Sequence, residues 1–291
     1  MARRSGAHLW LPVATLIVVV AGFVVATAGP ATALGTDRRI RVPRWTLAPT
    51  PPRSRYLFTF EDPAALAGFR RDEGLDDVVK GATDALGRAR ALAAWARAQF
   101  APTRPDPYPP LSAPVFLSEI RAGRTGGFCA QYAALVVQGL AALGELSMYV
   151  TVHEHEIISV YDHHAKSWMY YDPSDDVWAT DTAGHVLSPL DVHRRLSGQV
   201  SGSVHWQSGS AHDDAWYASY AERPRDMVAY WLENGWTTRP RNFEEIQRGL
   251  LFWCPLKEGC EVPDGAVASH DAVDFESIAV DAAGYRASAN R

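Results

Sequence analysis

The segment that most constrains this fold is an apolar run of fifteen residues, 129–143, with the sequence CAQYAALVVQGLAAL. Its apolar residues fall on every side of a helix, so the helix predicted here has to be surrounded by other parts of the protein. Gly144 follows the run and is suited to end the helix. The preceding residues 123–127, GRTGG, predict a loop, which places Cys129 in the first turn of the buried helix.

A cysteine at the start of a helix is well placed for chemistry. The helix N-terminus carries a partial positive charge and unpaired N–H groups, which stabilise a thiolate and can receive an oxyanion. Gly126 and Gly127 would let the backbone of a substrate come close to the thiol. Cys129 is therefore the candidate nucleophile.

Three extended segments follow this helix, at residues 148–152, 155–161 and 167–171, and the last two flank a short polar turn. β-Branched and aromatic residues on both sides of such a turn predict an antiparallel hairpin. Together with the helices, the hairpin predicts an α+β fold in which the buried cysteine-bearing helix packs on an antiparallel sheet.

His155 and Asp172 lie on the two strands of the predicted hairpin. A turn centred on His163 and His164 would pair residues 162 and 165, and would place His155 directly opposite Asp172 on the same face. A thiolate nucleophile needs a general acid to protonate a leaving amine, and a carboxylate can hold that imidazole in one tautomer. We therefore predict that Cys129, His155 and Asp172 form a catalytic triad.

The segments that carry these residues, GGFCAQYAALVVQGLAALG, HEIISVY and WMYYDPSDD, resemble the transglutaminase-like superfamily of papain-related cysteine enzymes. The resemblance covers roughly residues 80–180. It implies that Cys129 is the nucleophile, His155 the general base and acid, and Asp172 the residue that orients the imidazole. It also implies acyl transfer or hydrolysis on amide bonds of peptides or proteins through a thioester, as in a transglutaminase, peptidase or amidase. No metal or organic cofactor is required for that chemistry.

Two other functions are compatible with the sequence. The first is a catalytically inactive domain of the same fold, which would bind a peptide or glycan of the cell envelope through aromatic side chains between residues 216 and 236. The second is a metal site, because imidazole and carboxylate ligands suit zinc or nickel. The candidate ligands are His153, Glu154, His155, His163, His164 and Asp172. His153 is also an alternative to His155 as the base, since residues i and i+2 of a strand share a face.

The N-terminus predicts export. Arg3 and Arg4 precede an uncharged apolar run of 20 residues, 9–28, which is long enough to cross a bilayer as a helix. Small residues at 31–33 fit a cleavage site, so residues 1–33 are either a signal peptide or a membrane anchor. The remainder would be membrane-anchored and face outward, or would be periplasmic or secreted after cleavage. Outside the cytoplasm, Cys254 and Cys260 would form a disulfide.

C-terminal to residues 1–33, the sequence predicts three regions: a Pro-rich linker at 34–55, a catalytic core at 56–190 and an aromatic-rich C-terminal extension at 191–291. Helices are predicted at residues 77–99, 112–122, 225–234 and 242–252, and a Gly/Ser-rich loop at 197–214. The extension is therefore expected to be mainly helical. A formal net charge of −5 argues against binding to nucleic acid, which needs a basic surface. The family resemblance implies that the partner is a peptide or protein substrate.

Overall fold

The computed structural model describes residues 61–231, 250–253 and 267–268 of the 291-residue chain. These residues belong to one compact unit. Seven helices and one sheet of eight strands are present in them, which confirms the predicted α+β class.

Five helices precede the sheet: α1 (Pro63–Asp72), α2 (Leu75–Val78), α3 (Ala85–Gln99), α4 (Ala113–Arg121) and α5 (Cys129–Ala142). Helix α5 is the central one, and every residue from 130 to 140 is buried, as its apolar composition requires. Helix α3 comes close to α5 at Gly139, where an added Cβ would lie only 3.1 Å from Leu92 Cδ2. The cysteine-bearing helix is thus fixed by close packing along its length.

The predicted helix at 77–99 is interrupted, because α2 ends at Val78 and α3 begins at Ala85. The side chain of Asp84 accepts the N–H of Gly87 at 2.7 Å and so caps the start of α3. Helix α4 confirms the prediction at 112–122, whereas α1 was not predicted. Its start does carry a sequence signal, since Asp62 caps the helix and a proline occupies its first position.

The sheet has the order β5-β4-β3-β2-β1-β6-β7-β8. Neighbouring strands are antiparallel except for β7 and β8, which are parallel. The strands are β1 (Ser147–Val152), β2 (His155–Asp162), β3 (Ser167–Asp172), β4 (Val177–Thr180), β5 (His205–Ser208), β6 (Val228–Trp231), β7 (Leu250–Trp253) and β8 (Val267–Ala268). Two further helices, α6 (Pro189–Leu196) and α7 (Asp214–Asp226), lie between these strands in sequence.

The sheet separates two hydrophobic cores. Along β2, Ile158 and Val160 pack with α3 and α5 on one face, whereas Ile157 and Tyr161 pack with α6 and α7 on the other. This alternation is that of a strand buried on both faces. Both sides of the central hairpin are therefore covered by helices.

The predicted register of the β2–β3 hairpin is wrong by two residues, because Asp162 pairs with Ser167 rather than with residue 165. The connecting turn has four residues: the side chain of Asp162 accepts the N–H groups of His164 and Ala165, and Lys166 has a positive φ of 53°. His155 is therefore not directly opposite Asp172. A shift of two residues keeps every side chain on its predicted face, so both still point the same way.

The C-terminal extension differs most from its prediction. Strand β6 lies within the predicted helix at 225–234, and β5 lies within the predicted loop at 197–214. Strand β7 overlaps the end of the predicted helix at 242–252. The described part of the extension is therefore a mixture of helix and strand rather than mainly helical. Residues 228–231, VAYW, pair with β1 and β7, and this pairing outweighs the local helical pattern.

The N-terminal run at 9–28 and the predicted Cys254–Cys260 disulfide lie outside the described residues. Across the residues that the structure covers, no helix combines the length and the apolar character needed to span a bilayer. The expectation of a transmembrane helix is corrected accordingly for these residues.

Candidate active site

Cys129 is the first residue of α5, as predicted, and its thiol is free and half-buried. Phe128 precedes it and offers no side-chain acceptor to the first-turn N–H groups. Gln131 faces back instead, and its Oε1 accepts the N–H of Phe128 at 3.1 Å. The N–H of Cys129 is thus left without a capping side chain, next to its own sulfur, where it can serve an oxyanion.

The two glycines before Cys129 have a different role from the one predicted. A Cβ on Gly126 would lie 2.8 Å from the carbonyl oxygen of Thr103, and a Cβ on Gly127 would lie 2.5 Å from Phe100 Cε2. The space beside them is filled by the protein itself. These glycines let the 101–110 loop pack against the start of α5, and the Thr103 N–H donates to the Gly127 carbonyl at 2.7 Å.

Replacement of Gly127 by alanine should therefore displace the segment that leads into Cys129 at the start of α5. We expect a loss of about 1–3 kcal/mol in the free energy of unfolding, together with slower alkylation of the thiol. Gly68→Ala is the matched control, since the nearest atom to an added Cβ there is 3.9 Å away and alanine favours the helix. Chemical denaturation and alkylation rates measure both effects. Equal behaviour of the two variants would show that the contact at Gly127 does not position α5.

His155 and Asp172 form the buried centre of the site. His155 opens β2 directly after the turn from β1, and Asp172 is the last residue of β3. His155 Nε2 lies 2.7 Å from Asp172 Oδ2, and the two residues are 8% and 0% exposed. His155 and Asp172 are diagonal neighbours on adjacent strands, and their side chains are long enough to form this hydrogen bond.

The carboxylate of Asp172 is held by donors on both oxygens. Oδ2 accepts from His155 and from the hydroxyl of Tyr220, the latter at 2.8 Å. Oδ1 accepts the N–H of Ser174 at 2.8 Å. Three donors fix the plane of the carboxylate, and therefore the plane of the imidazole bound to it.

In the pair of His155 and Asp172, each charge stabilises the ionised form of the other residue. Burial would lower the pKa of His155, but the charge and hydrogen bond of Asp172, with a smaller effect of Cys129, raise that pKa to about 10. Burial would raise the pKa of Asp172, but the charge and hydrogen bond of His155, with the donors Tyr220 and Ser174, lower it below its usual value. The favoured state at neutral pH is an imidazolium beside a carboxylate.

The side chain of Cys129 is among the groups that raise the pKa of His155, which places the thiol near the imidazole. Since Nε2 is engaged with Asp172, Nδ1 is the ring nitrogen left for the sulfur. The structure thus joins His155 to Asp172 by a hydrogen bond, with the thiol of Cys129 near the same imidazole. Such an arrangement can form a thiolate–imidazolium pair and can pass a proton to a leaving group.

The turn after Asp172 carries two further acids, Asp175 and Asp176. Asp176 is only 8% exposed: its carboxylate pairs with Arg90 at 3.0 Å and accepts the Tyr171 hydroxyl at 2.9 Å. Arg97 donates to the carbonyl of Pro173 in the same turn. Two arginines of α3 therefore anchor the turn that presents Asp172.

Asp175 lies nearer to the reactive groups. One ligand atom from each of His155, Asp172 and Asp175 falls within 4.8 Å of the other two. Burial, followed by the charge of Asp172, raises the pKa of Asp175. Within this cluster, Nε2 of His155 is hydrogen-bonded to the carboxylate of Asp172.

The other predicted metal ligands are not brought to this cluster. The Nδ1 atom of His153 lies 2.8 Å from the carboxylate of Asp226 at the surface. His163 packs on Tyr161 at the far end of β2, roughly 26 Å from the start of the strand at ~3.3 Å per residue. Of the two histidines considered as the general base, His155 is the one that is hydrogen-bonded to Asp172.

Sequence reasoning missed Tyr220 and treated its neighbourhood only as an aromatic cluster. Of that cluster, Tyr220, Tyr230 and Trp231 are buried, Trp216 and Tyr217 are half-buried, and Trp236 lies outside the described residues. The helical spacing of Trp216 and Tyr220 was the available signal, since residues four apart share a helix face. Only the fold shows that this face meets Asp172.

A second buried carboxyl group lies beside the site, on the opposite face of β2. Glu156 is 6% exposed and its Oε2 accepts the hydroxyl of Thr151 at 2.7 Å. The Thr151 oxygen in turn accepts the indole N–H of Trp231 at 2.8 Å. Burial raises the pKa of Glu156 to about 8, so the group is largely uncharged at neutral pH.

In comparisons with known proteins, no family model matches the chain, and neither a curated protein nor a solved structure matches it.

Proposed function

We propose that this protein is a cysteine-dependent enzyme with a transglutaminase-like core, which transfers or hydrolyses the acyl group of an amide in a peptide or protein. The observation that carries the proposal is the hydrogen bond of His155 to the buried carboxylate of Asp172, with the thiol of Cys129 near the same imidazole. A buried helix that begins with the cysteine and packs on an antiparallel sheet carrying the other two residues supports the resemblance seen in the sequence.

The first half of the reaction follows from the charges. The thiolate of Cys129 attacks the amide carbonyl carbon, and the N–H at the start of α5 stabilises the developing oxyanion. The C–N bond then breaks while the imidazolium of His155 gives its proton to the departing amine. The product of this half is a thioester on Cys129 and a neutral imidazole.

The second half reverses the proton transfer. Water or a second amine attacks the thioester, His155 takes the proton of the attacking group, and the thiolate leaves. Water gives hydrolysis and an amine gives transamidation. Asp172 keeps its charge throughout and holds the imidazole in a single orientation.

The proposal is tested with the full chain on a library of amide and glutaminyl-peptide substrates, each with and without an added primary amine. We expect ammonia or amine release, new amide products when amine is present, and a covalent acyl-enzyme detectable by mass spectrometry. Cys129→Ala is the control and should abolish all three signals. Product formation that survives in Cys129→Ala would refute the assignment of the nucleophile.

Alkylation provides a test that needs no substrate. We expect iodoacetamide to modify Cys129 near neutral pH faster than it modifies a free peptide thiol, because the imidazolium of His155 favours the thiolate. His155→Ala should remove that advantage. If Cys129 of the wild-type protein were alkylated only as fast as a free peptide thiol, that result would contradict the proposed ion pair.

A further inference from the structure

A chain of two tyrosine hydroxyl groups ends on the carboxylate of Asp172. The hydroxyls of Tyr170 and Tyr220 lie 2.7 Å apart, and that of Tyr220 lies 2.8 Å from Asp172 Oδ2. Tyr170 belongs to β3, whereas Tyr220 comes from α7, outside the sequence segments that resemble a known family. Both side chains are buried, with 0% and 2% exposure.

The direction of the chain follows from counting hydrogens. A phenol has one O–H, and the hydrogen of Tyr220 is given to the carboxylate, which can only accept. Tyr170 must therefore donate to Tyr220. A hydroxyl that receives a hydrogen bond is polarised and donates more strongly itself, so Tyr170 strengthens the bond from Tyr220 to Asp172.

The ring of Tyr220 is fixed by its neighbours. Trp216 stacks on it at 4.8 Å with an angle of 18° between the planes, and Trp206 contacts it edge-on at 5.0 Å. The guanidinium of Arg223 lies 5.6 Å from the ring centre on the same helix. The centroid of the His155 ring is 6.3 Å from that of Tyr220, so the hydroxyl reaches the carboxylate and not the imidazole.

We infer that Tyr220 is a positioning residue of the active site, which keeps the carboxylate of Asp172 charged and correctly oriented for His155, with Tyr170 as its support. The inference rests on the proposed function for its effect on turnover. Its effect on the charge of Asp172 does not require that the protein be an enzyme. Without the hydroxyl of Tyr220, Oδ2 loses one of its two donors, and protonation of the carboxylate becomes easier.

Tyr220→Phe tests this inference in the full chain, with Tyr217→Phe as the matched control. Tyr217 lies on the same helix, is half-buried and contacts His212 and Trp216. In Tyr220→Phe we expect kcat to fall on the order of tenfold with KM within about twofold. The acid limb of the pH profile should move up by about one pH unit. Tyr170→Phe should show a smaller shift in the same direction, and Tyr217→Phe none.

A second readout separates this inference from the proposed function. The imidazole proton shared by His155 and Asp172 gives a downfield NMR signal, and the pH at which it is lost on acidification reports protonation of the carboxylate. We expect that pH to be higher in Tyr220→Phe than in Tyr217→Phe, with both variants folded by circular dichroism. Equal values would overturn the inference even in an active enzyme. A shifted value in a protein with no acyl-transfer activity would uphold it and refute the proposed function.

Discussion

Replacement of Asp172 by asparagine should reduce kcat for the proposed acyl transfer on the order of 10²–10⁴-fold, while the protein remains folded. Asparagine has nearly the same shape but only one oxygen. In the native site both oxygens of Asp172 are used, by His155 and Tyr220 on one side and by Ser174 on the other. In either orientation of the amide, its NH₂ group faces a hydrogen-bond donor, either His155 and Tyr220 or the Ser174 N–H. The imidazole also loses its negatively charged partner.

The pH profile should change in a defined direction. His155 acts as an acid in its protonated form, and Asp172 is the main reason that its pKa is raised to about 10. Without that charge, the burial of His155 is no longer offset, so its proton is lost at a much lower pH. The alkaline limb of activity should therefore move down toward or below the ordinary histidine value of about 6.5.

Asp162→Asn is the control for this experiment. Asp162 lies at the other end of the hairpin, where its side chain accepts the N–H groups of His164 and Ala165. Asparagine stabilises such turns equally well. Kinetics measured from pH 5 to 10 should show an unchanged profile for Asp162→Asn. If Asp172→Asn kept the wild-type alkaline limb, the His155–Asp172 pair would not govern the proton transfer.

Replacement of Glu156 by glutamine should stabilise the protein, by an amount that increases with pH. The pKa of Glu156 is raised to about 8, against an ordinary value of 4.5. Between these values the unfolded chain releases a proton that the folded protein retains, so stability falls as pH rises, by up to about 1.4 kcal/mol per pH unit. At pH 8 the raised pKa of Glu156 lowers the free energy of unfolding by an amount on the order of several kcal/mol. Glutamine has no proton to release and avoids that loss.

The measurement is urea denaturation of both proteins from pH 5 to 8. The raised pKa of His155 also makes stability fall as pH rises from 6.5 toward 10, so the difference between variants is the informative quantity. We expect Glu156→Gln to be close to wild type near pH 5 and several kcal/mol more stable near pH 8. Glu154→Gln, at an exposed position two residues earlier, should show a pH-independent difference near zero. A constant difference for Glu156→Gln would show that Glu156 is already ionised in the folded protein.

The sequence predicted the parts of the fold that local patterns determine. The apolar run at 129–143 predicted a buried helix, and the β-branched and aromatic residues on both sides of a short polar turn predicted the hairpin. The register was not accessible, because it depends on the Asp162 side chain and on the positive φ of Lys166, which together lengthen the turn. The prediction that His155 and Asp172 share a face survived, because the error was an even number of residues.

The remaining features depend on contacts between distant segments. Residues 228–231 form a strand because they pair with β1 and β7, and the local sequence pattern does not predict this pairing. Tyr220 reaches Asp172 because α7 packs on the face of the sheet to which the Asp172 side chain points, opposite to α5. Asp176 is buried because Arg90 of α3 lies opposite it. Each of these outcomes is decided by packing rather than by propensity.

The strand order also bears on how the molecule assembles. β1, β2, β3 and β4 each pair with the next strand in the sequence, whereas Tyr230 of β6 pairs with Val150, 80 residues earlier. Short loops close at a lower entropic cost than long ones, so we expect the meander to form early and the chain beyond it to dock late. His155 and Asp172 would then meet in a folding intermediate, before the tyrosine 48 residues further along the chain arrives. The hydrogen bond from Tyr220 to Asp172 would therefore form only once α7 is in place.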